Sequence, residues 1–402
     1  MKSMRTVIGA ASMLALAATA APASAATFVL NGINSIGDTR ARDGFLTAAN
    51  YWANTLTDDV TVVLNVGFSN LGTSPNGTVL GQTSSTLYSA LTNVMIGQII
   101  ADRTSALDTV ASASLASILT TGLSFNKPGY VSGTLGVNTD TQIFDNDGSA
   151  NNQRLLGTGA NLKALGFTGF TAADGTITFN SAVNFDFDPR NGVSRGALDF
   201  VGVAIHEFGH ALGFTSRVDL LDQFGCPDGP GCAQGSGIDF NASTNGSISN
   251  LDLFRYSQPG LRNVTPGQET YFSIDGGITE LYGDANMSTG VYNGDGRQAS
   301  HFKEPTVACS QADFIGIMNP YLCAGQMAEV TAQDLGAFDA IGWNLAAGAR
   351  DNGAYLQTTG AIFNVFGVPE PAVWLQMVLG FGLLGSAYRS AQRKQRLTVS
   401  MA

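Results

Sequence analysis

The sequence has few charged side chains, and basic ones are the scarcest. Only 13% of the 402 residues are charged, against about 25% in an average soluble domain. The chain has 20 Lys and Arg against 31 Asp and Glu, for a formal net charge of −11. Six of the basic residues lie at the two ends, so the body between them carries 14 basic and 31 acidic groups, or −17. Such a body repels phosphate backbones and anionic membranes, which excludes a nucleic-acid-binding protein.

Histidine is rarer still, with three residues in the chain, and internal repeats are missing altogether. The lack of repeats argues against a solenoid or a propeller. No cysteine precedes His206, so an N-terminal propeptide cannot inhibit a metal site by binding the metal through a cysteine. The apolar fraction is 44%, which is enough for a sizeable core and excludes global disorder. A chain of this length corresponds to two or three domains.

The N-terminus has the three parts of a secretory signal peptide, predicted to span residues 1–25. Lys2 and Arg5 form the positive start, residues 7–18 the apolar stretch and Ala23-Ser24-Ala25 the small-residue cleavage site. A retained membrane helix is the alternative, but the apolar run is too short for it. We therefore expect the mature protein to begin near Ala26 and to be exported.

The C-terminus, residues 368–402, has a second tripartite pattern. Pro369-Glu370-Pro371 is followed by residues 372–388 without a formal charge and then by a basic cluster that starts at Arg389. As a helix the uncharged run would span about 25 Å, marginally enough for a bilayer core of about 30 Å. A plain C-terminal anchor is one interpretation of this transmembrane helix.

The order of these parts also resembles the PEP-CTERM sorting signal of Gram-negative bacteria. That resemblance implies an exosortase-type enzyme as a processing partner. It also implies a cell-envelope or extracellular location once the tail has been removed. Residues 344–367 are predicted to be a linker to this tail.

Four cysteines fit an exported protein, because disulfides persist outside the cytoplasm. Four cysteines allow three connectivities. Proximity in sequence favours Cys226 with Cys232 and Cys309 with Cys323.

Hydrophobic periodicity and turn residues predict an α+β fold. A helix is expected where apolar residues recur at helical spacing, and a strand where β-prone residues alternate or cluster between turn signals. The predicted helices cover residues 39–57, a broken region over 84–119, residues 199–212 and a last helix that starts with the capping box Thr331-x-x-Asp334. The predicted strands cover residues 59–68, 176–179 and 183–187, and residues 217–300 are expected to be turn-rich and mostly irregular.

The pentapeptide His206-Glu207-Phe208-Gly209-His210 carries the chemistry. Histidines at i and i+4 lie on one helical face, where two imidazoles can bind one metal ion, typically zinc. Glu207 lies beside them, where a general base can take a proton from a metal-activated water. Residues 200–205 are almost all apolar, so a core helix with two hydrogen-bonded histidines is the alternative.

A catalytic zinc needs three protein ligands and an open position. The pattern His206-Glu207-x-x-His210-x-x-Gly213 resembles the metzincin zinc peptidases, in which a third His usually follows three residues after the Gly. Here that position is Ser216, a poor zinc ligand. The other candidates downstream are Asp219, Asp222, Glu269 and His301.

His301 lies in Ala299-Ser300-His301-Phe302-Lys303, and Gly316-Ile317-Met318-Asn319-Pro320 follows. This order resembles leishmanolysin, a metzincin whose third His is displaced by a long insertion, here residues 214–300. The resemblance implies that His301 completes the zinc site and that Met318 forms the methionine turn beneath the metal. Phe302 replaces the usual Trp of that segment.

The resemblance further implies two subdomains with the active-site cleft between them. The N-terminal catalytic subdomain, residues 26–213, would hold a mixed sheet and end in the active-site helix. The C-terminal one, residues 214–343, would hold the insertion, the methionine turn and a C-terminal helix.

The predicted function is that of a secreted zinc-dependent endopeptidase, acting as a monomer on protein or peptide substrates. Glu207 would be the general base, and an extended peptide would add to an edge strand, for which residues 176–179 are the candidate. Two alternatives stay open. One is a non-catalytic, zinc-stabilised envelope or exopolysaccharide-matrix protein, and the other is a zinc hydrolase of non-peptide substrates.

Calcium is a second candidate ion, but no motif locates a site for it. The run Asp145-Asn146-Asp147-Gly148 has the composition of a calcium loop. It lacks a Glu at the required distance, which favours a solvated turn.

Overall fold

A computed structural model describes residues 25–74, 77–132, 136–223, 225–226, 247–305, 309 and 314–367. The predicted sorting tail, and the predicted signal peptide except for its last residue, lie outside these ranges. In the part of the chain that is described, no helix has the length and apolar character needed to cross a membrane.

The described residues form an α+β fold, as the sequence predicts. The helices are α1 (Thr39–Thr55), α2 (Thr92–Asp102), α3 (Ala106–Ala116), α4 (Ile118–Thr121), α5 (Ala150–Gln153), α6 (Gly159–Ala164), α7 (Phe200–Leu212), α8 (Val218–Gln223), α9 (Ala332–Ala340) and α10 (Thr359–Phe366). The strands are β1 (Thr27–Asn31), β2 (Thr61–Ser69), β3 (Thr73–Ser74), β4 (Gly77–Thr78), β5 (Gly81–Ser85), β6 (Leu87–Leu91), β7 (Phe125–Ser132), β8 (Gly136–Asp145), β9 (Arg154–Thr158), β10 (Gly175–Asn180), β11 (Phe185–Asp186), β12 (Leu198–Asp199), β13 (Gly225–Cys226), β14 (Arg255–Gln258), β15 (Leu261–Arg262), β16 (Thr270–Phe272), β17 (Asn286–Met287), β18 (Glu329–Thr331) and β19 (Leu356–Thr358).

A mixed four-stranded sheet with the order β1-β2-β10-β5 is the scaffold of the N-terminal half. Strands β1, β2 and β10 are parallel, whereas β5 runs antiparallel to β10 at the edge. The prediction that residues 176–179 form an edge strand is therefore wrong. They lie inside β10, and their backbone groups pair with strands on both sides.

The prediction of a helical region over residues 84–119 is wrong at its start. Residues 81–91 form β5 and β6, and helices α2, α3 and α4 follow only from Thr92. Strand β5 has the sequence Gly-Gln-Thr-Ser-Ser, which lacks the apolar alternation of a strand, and its conformation comes from pairing with β10.

Helix α7 packs against both the sheet and helix α1. The rings of Phe45 in α1, Phe179 in β10 and Phe200 in α7 meet with centroids 4.8–5.3 Å apart. Gly44 permits this close approach, because a Cβ atom there would lie 2.3 Å from the Phe200 ring. The Trp52 indole N–H also donates to the Ile205 carbonyl at 3.2 Å. These contacts fix α7 in the core.

The second half holds short elements around α7. Strands β15-β14-β16-β17 form a small sheet within the region expected to be mostly irregular. Helix α9 begins as predicted, because the side chain of Thr331 accepts from the Asp334 N–H and Asp334 accepts from the Thr331 N–H. Within the predicted linker, β19 pairs with β18 and α10 follows from Thr359. These residues are thus ordered against the fold, since α10 is amphipathic and buries Ile362.

Candidate metal centre

Helix α7 begins and ends where the sequence predicts. The Asp199 carboxylate caps it by accepting the Gly202 N–H at 3.0 Å. Gly213 ends it with a φ of 123°, in a region that favours glycine. Between the two ends the helix is buried nearly all round. Its three polar side chains in the second half, those of His206, Glu207 and His210, therefore need partners inside the protein.

The three histidines converge on one point. The Nε2 atoms of His206 and His210 are 3.0 Å apart, those of His210 and His301 are 3.1 Å apart, and those of His206 and His301 are 3.2 Å apart. Ligand atoms about 2.0–2.1 Å from one tetrahedral zinc ion lie at about this mutual spacing. The structure therefore brings His301 into the cluster, as the resemblance implied.

Each imidazole is oriented by a backbone carbonyl. The Nδ1 atom of His206 lies 2.6 Å from the Ile317 oxygen, that of His210 2.8 Å from Phe214, and that of His301 3.0 Å from Gln298. A carbonyl only accepts, so each Nδ1 carries the proton and donates it. Each Nε2 is then a bare lone pair facing the other two.

This donor set fits a cation. Burial lowers the pKa of His206 to about 4, and burial with the neighbouring His206 lowers that of His210 to about 3. Burial, followed by the charges of the other two histidines, places the pKa of His301 well below its usual value. The rings are therefore neutral at pH 7. Their three Nε2 atoms lie 3.0–3.2 Å apart with no proton between them to form a hydrogen bond. A metal ion placed among them would satisfy all three lone pairs, and a backbone carbonyl on the other ring nitrogen is typical of metal-ligating histidines.

Glu207 lies beside the cluster on the same helix and is 6% exposed. Its Oε2 accepts a hydrogen bond from the Thr83 hydroxyl of β5 at 2.6 Å. Burial raises the pKa of Glu207 to about 7, which the Thr83 hydrogen bond partly offsets. Thr83 could not be identified from the sequence, because strand β5 lacks apolar alternation and no strand was predicted there.

Met318 packs directly against helix α7. The side chain is fully buried, and a Cβ atom on Gly209 would lie 2.5 Å from its Sδ. The Asp334 carboxylate accepts the N–H groups of Ile317 and Met318 at 2.8 and 3.0 Å. Since the Ile317 carbonyl also orients His206, the Asp334 carboxylate positions both Met318 and a candidate metal ligand. Sequence reasoning identified Asp334 as a helix cap but not in this second role.

The predicted disulfide between Cys309 and Cys323 is confirmed and flanks this turn. The predicted pair Cys226–Cys232 stays a prediction, because Cys232 lies outside the described residues.

The other candidate ligands point elsewhere. The Ser216 hydroxyl donates to Asp252 at 2.7 Å, and Glu269 pairs with Lys303. Asp219 and Asp222 accept backbone N–H groups of the segment before His301 and of the loop at Tyr292, respectively. Within the described ranges, no other group of three or more His, Cys, Asp or Glu side chains lies within metal-binding distance.

Calcium remains without a located site. In the run that starts at Asp145, the Asp145 carboxylate pairs with buried Lys127 and accepts the Asn151 side-chain amide at 2.7 Å. That carboxylate is therefore matched to a lysine.

A cleft of about 910 Å³ opens over the histidines. Its lining includes strand β5, one side of α7, the start of α8 at Asp219, and parts of segments 291–301 and 314–331. The site thus combines a buried metal-capable centre with an accessible cavity, as binding and catalytic sites do.

Fold and site together define an α+β protein with a three-histidine, metal-capable centre. Comparisons with protein-family models, curated proteins and solved structures found no match to this chain.

Proposed function

We propose that the protein is a zinc-dependent endopeptidase of metzincin type. The observation that carries the proposal is the convergence of three Nε2 lone pairs within 3.0–3.2 Å, with Glu207 next to them in an open cleft. The packing of Met318 under the same helix adds to it. A zinc site with three His ligands leaves a fourth position for water or substrate.

His206, His210 and His301 would hold the zinc ion. When bound, zinc would polarise a scissile carbonyl and lower the pKa of a water molecule. Glu207 would accept a proton from the attacking water and deliver it to the leaving amine. The Thr83 hydroxyl fixes one carboxylate oxygen of Glu207 and so holds the base in one orientation.

Strand β5 offers the backbone groups that an extended peptide requires. Leu80 O accepts from Asn180 N–H, and Thr86 N–H donates to Asp174 O. Hydrogen-bonded pairs alternate along an antiparallel ladder. The backbone N–H and C=O groups of the even-numbered residues therefore point towards β10. Those of Gly81, Thr83 and Ser85 point towards the open edge of the sheet. No strand of the described residues pairs with that edge. A substrate strand added there would run beside Glu207.

A closed structural zinc site is the competing function. Such a site takes four protein ligands. In the part of the chain that is described, no fourth His, Cys, Asp or Glu joins the cluster, and the cleft reaches it. The geometry therefore favours catalysis over a purely structural metal.

The proposal is tested by cleavage of denatured casein with the purified protein. We expect cleavage that a chelator abolishes and that stoichiometric zinc restores. Tight binding of one zinc ion without cleavage of casein or of a peptide library would instead support the envelope or matrix protein. Metal-dependent cleavage of esters or other non-peptide substrates alone would support the non-peptide hydrolase.

A further inference from the structure

The third histidine differs from the other two in how it is held. His206 and His210 are fixed by the geometry of α7, whereas residues 298–301 belong to no helix or strand. A ligand in such a segment is placed only as precisely as its side-chain and backbone partners hold it.

The chain after His301 is tied to the methionine turn and to the small sheet. The Phe302 N–H donates to the Met318 carbonyl at 3.0 Å, and the Ser288 N–H donates to the His301 carbonyl at 3.0 Å. The Ser288 hydroxyl adds a bond to the Phe302 carbonyl at 2.9 Å.

The chain before His301 is tied to one carboxylate, that of Asp219 in α8. It accepts the Ala299 N–H at 2.5 Å, the Ser300 N–H at 3.1 Å and the Ser300 hydroxyl. The Ser300 oxygen in turn accepts the Ser216 N–H at 2.8 Å. Because Ser216 lies between α7 and α8, this carboxylate couples the helix that bears two ligands to the segment that bears the third.

A buried arginine also binds the segment before His301. Arg255 is 1% exposed, and its Nη2 donates to the Ala299 carbonyl at 2.5 Å. The peptide groups on both sides of Ala299 are thus held by ionised side chains, and hydrogen bonds to charged groups are stronger than neutral ones.

We propose that Asp219 is a positioning residue of the metal centre, which sets the place of His301 without binding the metal itself. This inference rests on the proposed zinc site. Outer-shell partners of metal ligands typically contribute about 10- to 100-fold to metal affinity, and we expect a loss in that range when the carboxylate is removed.

The test compares Asp219→Asn with Asp222→Asn in the full chain, by zinc titration and by the absorption spectrum of the cobalt form. Asp222 is the matched control, since it lies in the same helix, is 1% exposed and also accepts backbone N–H groups, those of Tyr292 and Asn293. Its partners are not in the segment of His301. We expect Asp219→Asn to weaken zinc binding about 10- to 100-fold and to change the cobalt spectrum, with Asp222→Asn within about threefold of the wild type.

Ser300→Ala provides a milder variant in case Asp219→Asn does not fold. It removes the hydroxyl that bridges Asp219 and Ser216 and leaves the two backbone bonds to the carboxylate, so we expect a smaller loss in the same direction.

Three results would overturn the inference. The first is wild-type zinc affinity in both Asp219→Asn and Ser300→Ala. The second is a loss of zinc affinity in Asp222→Asn as large as that in Asp219→Asn. The third, a wild-type protein that binds no zinc, would refute the proposed function itself and is distinguished by the wild-type titration.

Discussion

The contact between Gly209 and Met318 allows a quantitative prediction from one added methyl group. In Gly209→Ala the new Cβ atom would lie 2.5 Å from Met318 Sδ, and 3.2 Å from both Met318 Cε and Phe338 Cζ. Met318 and Phe338 are fully buried, so neither side chain can move into solvent. Overpacking of this kind costs about 1–3 kcal/mol, whereas Ala gains about 1 kcal/mol over Gly in a helix. We therefore expect a net loss of about 0–2 kcal/mol in the free energy of unfolding.

Gly97→Ala in α2 is the matched control. No atom lies within 4 Å of a Cβ built on Gly97, so only the helix propensity changes and we expect a gain of about 0.5–1 kcal/mol. Urea unfolding of the two variants measures the difference, which should be about 1–3 kcal/mol. In a Met318→Ala background, the same Gly209→Ala change should cost less than in the wild type, because the side chain that the new Cβ atom meets is gone. Equal stabilisation by the two alanines would refute the packing of the methionine turn under α7.

Three further predictions concern a proposed ligand, a buried carboxyl group and the processing of the two ends. His301→Ala should lower zinc affinity by more than about 100-fold, beyond the range typical of outer-shell partners, and retention of wild-type affinity in a titration would exclude His301 as a ligand. Burial, and next the charge of Asp108, raise the pKa of Asp339 to about 8. Above about pH 4 the unfolded state therefore releases a proton that the folded state keeps. The contribution of this group to the free energy of unfolding is thus present at low pH and is lost as the pH rises through about 8. Asp339→Asn should therefore raise stability at pH 8 more than at pH 5 in urea unfolding, and the opposite order would contradict the burial argument. The protein isolated from its native host should lack residues 1–25 and the segment beyond about Pro371, as its intact mass would show. A retained C-terminal segment would indicate an anchored protein.

The parts of the site that follow from local geometry were predictable from the sequence. The spacing of His206 and His210 fixes both rings on one face of any helix. The capping box at Thr331 is likewise local, and it occurs where the sequence indicates. His301 was found by resemblance to a known order of motifs and by the lack of other histidines.

The parts that depend on distant pairing were not predictable. Strand β5 has no apolar periodicity, and its conformation is set by β10, about 90 residues later in the chain. The partners Thr83 and Asp219 reach the site across separations of 124 and 80 residues. A polar side chain at such a separation leaves no pattern in the sequence, because nothing local marks its partner. Helix α10 was missed for a related reason, since its short apolar face packs against Pro189–Asn191 and helix α1, which are distant in the sequence.

Glu207 is the proposed general base, next to a zinc ion that the three histidines would hold. Glu207→Gln keeps the shape of the side chain but cannot accept the proton, and general bases typically contribute about 10² to 10⁴ in rate. The exposed Glu269→Gln, whose partner is Lys303, is the control substitution. The decisive measurement is casein hydrolysis by both variants at equal zinc content. We expect hydrolysis to fall about 10²- to 10⁴-fold in Glu207→Gln and to stay at the wild-type rate in Glu269→Gln. Wild-type turnover by Glu207→Gln with a full complement of zinc would contradict the account.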